Sequence, residues 1–240
     1  MTRTKRMTAP DAWQLARKES KYVVSTASGP HDGSALPIGV WLRDHMHFAS
    51  NTKEVRKILH ERQVVLNGHI VIDEHIGIDV FDIISFPAID KHYMILVDEK
   101  GRHNEYEISA DAAKVQLVKV ANKTTIKGGK TQINLTTGAN LIGEEGYKGS
   151  DSLVIGISGD DRFAVQQHFP YAVGNMAIVI GGQHTMKSGK IVEILHQETS
   201  LSNHVIIEDA KGDKFETIND YVYMIGTTES FLKPGVLKHE

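Results

Sequence analysis

The spacing of apolar and polar positions divides the chain into stretches of different period. The first forty residues show little sustained periodicity, and SGPHDGSALP (Ser28 to Pro37) concentrates Ser, Gly and Pro. These residues interrupt both helix and sheet, so the pattern predicts an extended or looping arm. Within it, Pro10 and Asp11 precede a short helical pattern, AWQLARK, in which Trp13 is placed to pin the arm to an apolar surface. After Trp41, LRDHMHFA puts Leu42, Met46 and Ala49 on one face of a short helix. Asn51 followed by Glu54 then supplies a cap and its capping-box partner for a second helix, from about Thr52 to Arg62. Val55, Ile58 and Leu59 form its apolar face, while Lys53, Arg56, Lys57 and His60 recur on another.

Beyond this point the period shortens to that of strands. VVLNGHIVI alternates β-branched residues around Asn67-Gly68, a pair that tolerates the positive φ values of a tight hairpin turn. IDVFDIISF predicts a further strand, and HYMILV with RHNEYEI predicts a hairpin turning at Gly101. SADAAK reads as a capped helical turn ahead of the strand QLVKV, and Ile126 to Ser150 yields loops and one weak strand. From Met176, MAIVI, KIVEIL, HVIIED, KFETI and YVYMI are short strands separated by turns, a pattern that suits a small SH3-like barrel. The fold class is therefore α+β.

Composition adds several exclusions. A chain of 240 residues suits more than one small domain. The absence of cysteine removes disulfides, thiolate metal sites and thiol chemistry, and fits a reducing compartment. Apolar runs such as Ile76 to Ile84 and Met176 to Ile180 fall short of the ~20 residues of a membrane span. MTRTKRMTAP has basic residues with no apolar stretch after them, unlike a secretory signal, so a cytoplasmic location is expected. Net charge is −3, but its distribution is uneven. Met1 to Arg62 holds 11 Lys and Arg against 6 Asp and Glu, and the remainder holds 16 against 24. A local basic surface of this kind displaces counterions from phosphates. Four of the 13 histidines (His31, His45, His47, His60) lie in the same basic quarter, adding charge in a mildly acidic medium.

Two short helices, the second basic, followed by a V-x-L-N-G hairpin resemble the S4-type RNA-binding module. KRMTAPDAWQL (Lys5 to Leu15) and TASGPH (Thr26 to His31) are similar to the amino-terminal signature of the S4e family of archaeal and eukaryotic small-subunit ribosomal proteins. DSLVIGISGDDRFAVQQHFPYAVGN (Asp151 to Asn175) and MAIVIGGQHTMKSGKIVEI (Met176 to Ile194) are similar to that family's central domain and closing KOW segment. The resemblance is weakest between Ile126 and Ser150, and the length is of the archaeal type. It implies a basic extension (1–41), an S4-type module (42–86), a β-rich central domain (87–172), a KOW SH3-like barrel (173–226) and a tail (227–240).

The resemblance also implies a ribosome-bound constituent of the small subunit, with small-subunit rRNA and neighbouring ribosomal proteins as partners. It implies no membrane, cofactor or small-molecule substrate. Contact with rRNA is expected from Lys5, Arg6, Lys21, Arg43, Lys53, Arg56, Lys57, His60, Asn67 and Gly68, by phosphate pairing and shape. In the KOW loop, Gly181, Gly182 and Gly189 keep their places, and Gln183, His184, Lys187 and Lys190 offer polar contacts. Met186 stands where the middle glycine of GGxxxGxxG is expected, a departure that bears on the loop's conformation.

Enzyme readings find little support in the residues. Asp73, Glu74 and His75, or His45 and His47, supply no complete metal-ligand set. GEEG (Gly143 to Gly146) reads as a solvated turn, and no phosphate-binding loop or nucleophile elbow occurs. Two alternatives stay open: an RNA-modifying enzyme carrying an S4-type module, and a transient KOW-containing transcription or translation factor.

Overall fold

The run Leu36 to Leu42 (LPIGVWL) has no polar residue with which to face water, and every member is buried in the computed structural model of the protein. The structure describes residues 4–29, 31, 35–143, 146–227 and 231, with the side chain of residue 160 left aside. The two carboxylates of the GEEG turn and most of the expected 227–240 tail lie outside the described residues. The chain forms two compact units. One comprises Met1–Leu96, Arg102–Gln116 and Ile157–Arg162, and the other Val97–Gly101, Leu117–Gly156 and Phe163–Glu240. Among the described residues no helix is long and apolar enough to cross a membrane.

In the first unit the arm contributes β1 (Thr4–Lys5), paired antiparallel with β2 (Tyr22–Val23). Then come β3 (Leu36–Pro37), α1 (Ile38–Val40) and a π-helical turn (Trp41–His45), followed by α2 (Thr52–His60). The strands β4 (Val65–Leu66), β5 (His69–Ile70), β6 (Gly77–Ile78), β7 (Ile83–Phe86), β8 (Lys91–Val97) and β9 (His103–Ile108) complete it. One sheet runs β5-β4-β7-β8-β9, and β3 pairs separately with β6.

The helix expected over residues 42–49 begins earlier, at Ile38, and ends in a widened turn. The Met46 amide donates to the Trp41 carbonyl at 3.0 Å, an i to i−5 bond. Because Ile38, Val40, Trp41 and Leu42 are all fully buried, no amphipathic spacing could mark the start of this helix. The indole of Trp41 meets the rings of Phe86 at 6.1 Å and Tyr93 at 6.0 Å. Ala9, Trp13 and Val23 from the arm join the same core as Val55, Leu59, Ile78 and Ile84. The helical pattern around Trp13 amounts to one 3₁₀ turn, Asp11–Trp13, closed by Gln14 in the left-handed region. Packing of the indole rather than helical propensity fixes the arm there.

The Asn67-Gly68 turn has φ values of 47° and 76°, as a type I′ turn requires. Asn67 Nδ2 donates to the buried Asp82 at 2.8 Å, and Asn67 Oδ1 accepts from the Ile83 amide at 2.8 Å. Gly68 is packed so closely that an added Cβ would lie 1.9 Å from the Ile157 carbonyl oxygen.

The regular structure of the second unit is almost entirely strand. One sheet has the order β12-β11-β10-β13-β14, from β10 (Val115–Thr125), β11 (Thr131–Leu135), β12 (Asn140–Gly143), β13 (Ser152–Gly156) and β14 (Val165–Phe169). β11 and β12 form a regular hairpin where the sequence shows one weak strand. Its inward residues are only Ile133, Leu135 and Leu141, too few for a clear alternation, so the backbone ladder beside β10 carries the pairing. The five strands expected from Met176 are all present: β15 (Met176–Val179), β16 (Ser188–Leu195), β17 (His204–Asp209), β18 (Lys214–Ile218) and β19 (Val222–Gly226). They pair antiparallel in the order β18-β17-β16-β15-β19, so the last strand returns beside the first. Their inner face is Ala177, Val179, Ile191, Val205, Ile207, Phe215, Val222 and Met224.

Lys119 is buried in this unit, its Nζ donating to the carbonyls of Asn219 at 2.7 Å and Asp220 at 3.3 Å. Burial pushes its pKa down to about 8.

Substituting Gly68→Ala should cost at least ~2 kcal/mol, combining left-handed strain with the carbonyl clash. Gly101→Ala, at φ 72° with open space around it, should cost only ~1 kcal/mol. Urea unfolding of the two variants measures the difference. For Lys119, the unfolded chain holds its proton to about pH 10.5 whereas the folded chain releases it near 8. Stability should therefore rise with pH from 8 to 10, by up to about 3 kcal/mol, and the rise should vanish in Lys119→Met. Tyr171, pushed up to about 12 by burial, acts in the opposite direction only above pH 10.

Candidate nucleic-acid interface

The second helix is held at its start by a capping box in which Glu54 reaches one residue past the cap. Asn51 Oδ1 accepts from the Glu54 amide at 3.0 Å, and Glu54 accepts from the Ser50 amide at 2.7 Å. Val55 and Leu59 are buried, which turns Lys53, Arg56, Lys57 and His60 outward as exposed residues. Lys57 lies 3.8 Å from Glu61, one helical turn on.

Beside this helix the arm and the π turn enclose a polar cleft of about 970 Å³. Arg6, Glu19 and Tyr22 line it from the arm, Arg43 and Asp44 from the π turn, and Arg56 from α2. The structure thus gathers three of the predicted cations, but each has a carboxylate of its own. Arg6 meets Glu19 at 3.0 Å, Arg43 meets Asp44 at 2.7 Å, and Arg56 meets Glu74 at 2.7 Å. Such pairs hold planar guanidinium groups in fixed orientations while lowering the net field of the cleft. Arg56 remains largely exposed, whereas Arg6 is buried and also donates to the Ala16 carbonyl at 2.6 Å. Arg6 therefore serves to fold the arm back on itself.

The remaining predicted residues divide similarly. Lys5 and Lys21 are exposed on the β1-β2 pair, with Lys21 Nζ 5.4 Å from the Tyr22 ring centre. Asn67 and Gly68 are occupied in the hairpin and its packing, as described above. The carboxylates Glu19, Asp44 and Glu74 were missed as members of the cleft. The sequence signal for Glu74 was the triplet Asp73-Glu74-His75, in which Asp73 instead accepts from the His75 amide, Glu74 from Arg56, and the His75 ring meets the Ser25 carbonyl. Among the described residues no group of three or more His, Asp or Glu is arranged to hold a metal ion.

In the β15-β16 loop and the start of β16 the glycines pack against the chain itself. An added Cβ at Gly181 would lie 2.8 Å from the Tyr221 ring, and at Gly189 it would lie 2.2 Å from the Glu208 carbonyl oxygen. Gly182 has φ 82°. Met186 has φ 65°, so this side chain occupies a left-handed position that glycine fits without strain, and it is nevertheless buried. His184 leans on Phe215 at 4.7 Å between ring centres, and Lys187 Nζ stands 5.3 Å from the same ring. Gln183 and Lys190 are exposed.

Comparison with known proteins places this geometry in a family. The profile of the ribosomal family S4e matches residues 89–162, and that of the RS4NT (NUC023) domain matches residues 2–33. The small ribosomal subunit protein eS4 of Methanospirillum hungatei is 44% identical over 223 residues, covering 92% of each chain. The chain belongs to the S4e family. Its eS4 relative from Archaeoglobus fulgidus is 34% identical, covering 94% of each chain. The crystal structure of the 30S ribosomal protein S4e from Thermoplasma acidophilum superposes with a TM-score of 0.68 over 82% of this chain and 98% of that one. At 23% identity this last likeness establishes the S4e fold.

Met186 offers a direct check on the loop. Met186→Gly removes roughly 1 kcal/mol of left-handed strain but loses about 1.5–3 kcal/mol of burial. Met186→Ala loses the burial and keeps the strain. Chemical denaturation should therefore rank wild type above Gly and Gly above Ala, and an Ala variant more stable than Gly would contradict the strain.

Proposed function

We propose that the protein is a structural constituent of the small ribosomal subunit that holds structured rRNA with the outward face of α2 and the adjoining cleft. The observation that carries this reading is similarity to eS4 proteins along nearly the whole of both chains. Those relatives bear the name of a subunit protein, not of a modifying enzyme or a free factor. The paired helical turns and the Asn67-Gly68 hairpin are read as the S4-type module, and the β15–β19 sheet as the KOW SH3-like barrel. The division at 41, 86, 172 and 226 belongs to the same reading.

On this reading Lys53, Lys57, Lys5 and Lys21 make mobile phosphate contacts, while Arg43 and Arg56, oriented by carboxylates, recognise phosphates by shape. His60 extends the same exposed face of α2. Gln183, His184, Lys187 and Lys190 face a neighbouring protein or RNA segment. The ribosome-bound, cytoplasmic location follows from the same assignment.

Sedimentation of a lysate in high salt tests the assignment, with stoichiometric retention on small subunits expected and loss to the top of the gradient refuting it. For the surface, Lys53→Gln combined with Lys57→Gln should reduce the slope of log affinity against log salt for isolated small-subunit rRNA by about 1.5. An unchanged slope would place the contact elsewhere.

A further inference from the structure

Two carbonyl oxygens of the arm are held by histidine rings whose other nitrogens face carboxylates. His45 Nε2 lies 3.0 Å from the Trp13 carbonyl oxygen, and its Nδ1 faces Glu105 Oε2 at 3.7 Å. His75 Nδ1 lies 2.7 Å from the Ser25 carbonyl oxygen, and its Nε2 faces Glu74 Oε1 at 3.7 Å. A carbonyl and an ionised carboxylate can only accept, and a neutral imidazole carries a single N–H. In either neutral tautomer one ring nitrogen therefore turns a lone pair toward an acceptor. The imidazolium satisfies both sides.

We propose that docking of the arm is a proton-dependent latch, in which His45, beside the second clasp made by His75, holds the arm as an imidazolium cation and releases it as it loses its proton. The charged groups around the His45 ring favour this sign. His45 faces Glu105 from β9 and Asp44 from its own turn, with the Trp13 carbonyl on the arm side. His75 lies beside Glu74, and its own amide donates to Asp73 at 2.9 Å. Arg56 from α2 shares Glu74 Oε1, and Arg43 from the π turn acts on the same carboxylate. His31, itself near the other end of the arm, faces two carboxylates instead, 3.1 Å from Asp82 and 3.9 Å from Asp79. Asn67 and Gln116 also donate to Asp82, and His103 acts on Asp79.

Burial opposes the charge on His45, but hydrogen bonding to Glu105 and to the Trp13 carbonyl outweighs it and holds the pKa above the ordinary value. The same contact with His45 holds Glu105 below its ordinary value. A raised histidine pKa contributes fully below pH ~6.5 and is lost as pH rises through the raised value, so the arm is tightest in acid. The arm supplies Arg6, Glu19 and Tyr22 to the cleft, and its release would reshape that surface.

The chain has two tryptophans, which makes the latch measurable in the full protein. Trp13 sits in the docked arm, and Trp41 in the core reports whether the unit is folded. The probe is ¹⁹F NMR of 5-fluorotryptophan-labelled protein from pH 5.5 to 9, with the Trp13 resonance assigned by Trp13→Phe. The Trp13 signal should become several-fold more accessible to a soluble paramagnetic quencher as the ¹⁵N signal of the His45 ring reports deprotonation, with Trp41 unchanged. In the double variant His45→Gln, His75→Gln the pH transition should disappear. Glu105→Gln, which removes the carboxylate that favours the His45 imidazolium, should shift the opening to lower pH and keeps the test available if the double variant loses its Trp41 signal. Protection of Trp13 throughout the range, or the same transition in a folded double variant or in Glu105→Gln, would overturn the latch.

Discussion

The burial of Trp41 is the constraint on which the first unit depends. Its indole packs with the sheet residues Phe86 and Tyr93 in a three-ring cluster, in the same core as Trp13 and Val23 from the arm. A large ring enclosed by several elements fixes where each must lie, because a dense interior leaves no slack for an alternative arrangement. The π turn after Trp41 is the local adjustment that this placement imposes on the chain. It sets Arg43 and Asp44 at the rim of the cleft and His45 against the arm. Positioning of the polar groups therefore follows from an apolar contact.

The cleft shows how charge is managed when several arginines converge. Unpaired, they would repel one another and leave buried donors without acceptors. Glu19, Asp44 and Glu74 remove both costs and keep the guanidinium planes fixed, while lysines on the outer face of α2 retain mobile charge. A surface with both kinds of cation can combine shape recognition with long-range attraction to phosphates. The arm is integral to this arrangement, since it brings Arg6 and Glu19 and is itself held by Trp13 and two histidines.

Much of this could be read along the chain. The capping box at Asn51, the apolar and basic faces of α2, the Asn67-Gly68 turn and the five closing strands all depend on local spacing and turn chemistry. The β11-β12 hairpin was not legible, because Thr, Gln and Asn dominate strands whose order comes from the ladder beside β10. The helix start at Ile38 was hidden in a run of buried residues with no polar face. Arg6 carried the same signal as any basic arm residue, and only the return of Glu19 and Ala16 to its guanidinium removes it from the surface.

By itself, the sequence determined most of the elements and their order, the family and the location of a basic first quarter, since each is encoded in residue type and near-neighbour spacing. Only the tertiary structure decided which cations are free and which are neutralised, that histidines clasp the arm, and that Met186 keeps a glycine-like backbone. The first two outcomes depend on partners far away in the chain: Glu74 reaches Arg56 across 18 positions and Glu105 reaches His45 across 60. Distances of that kind are set by packing, which local spacing does not record.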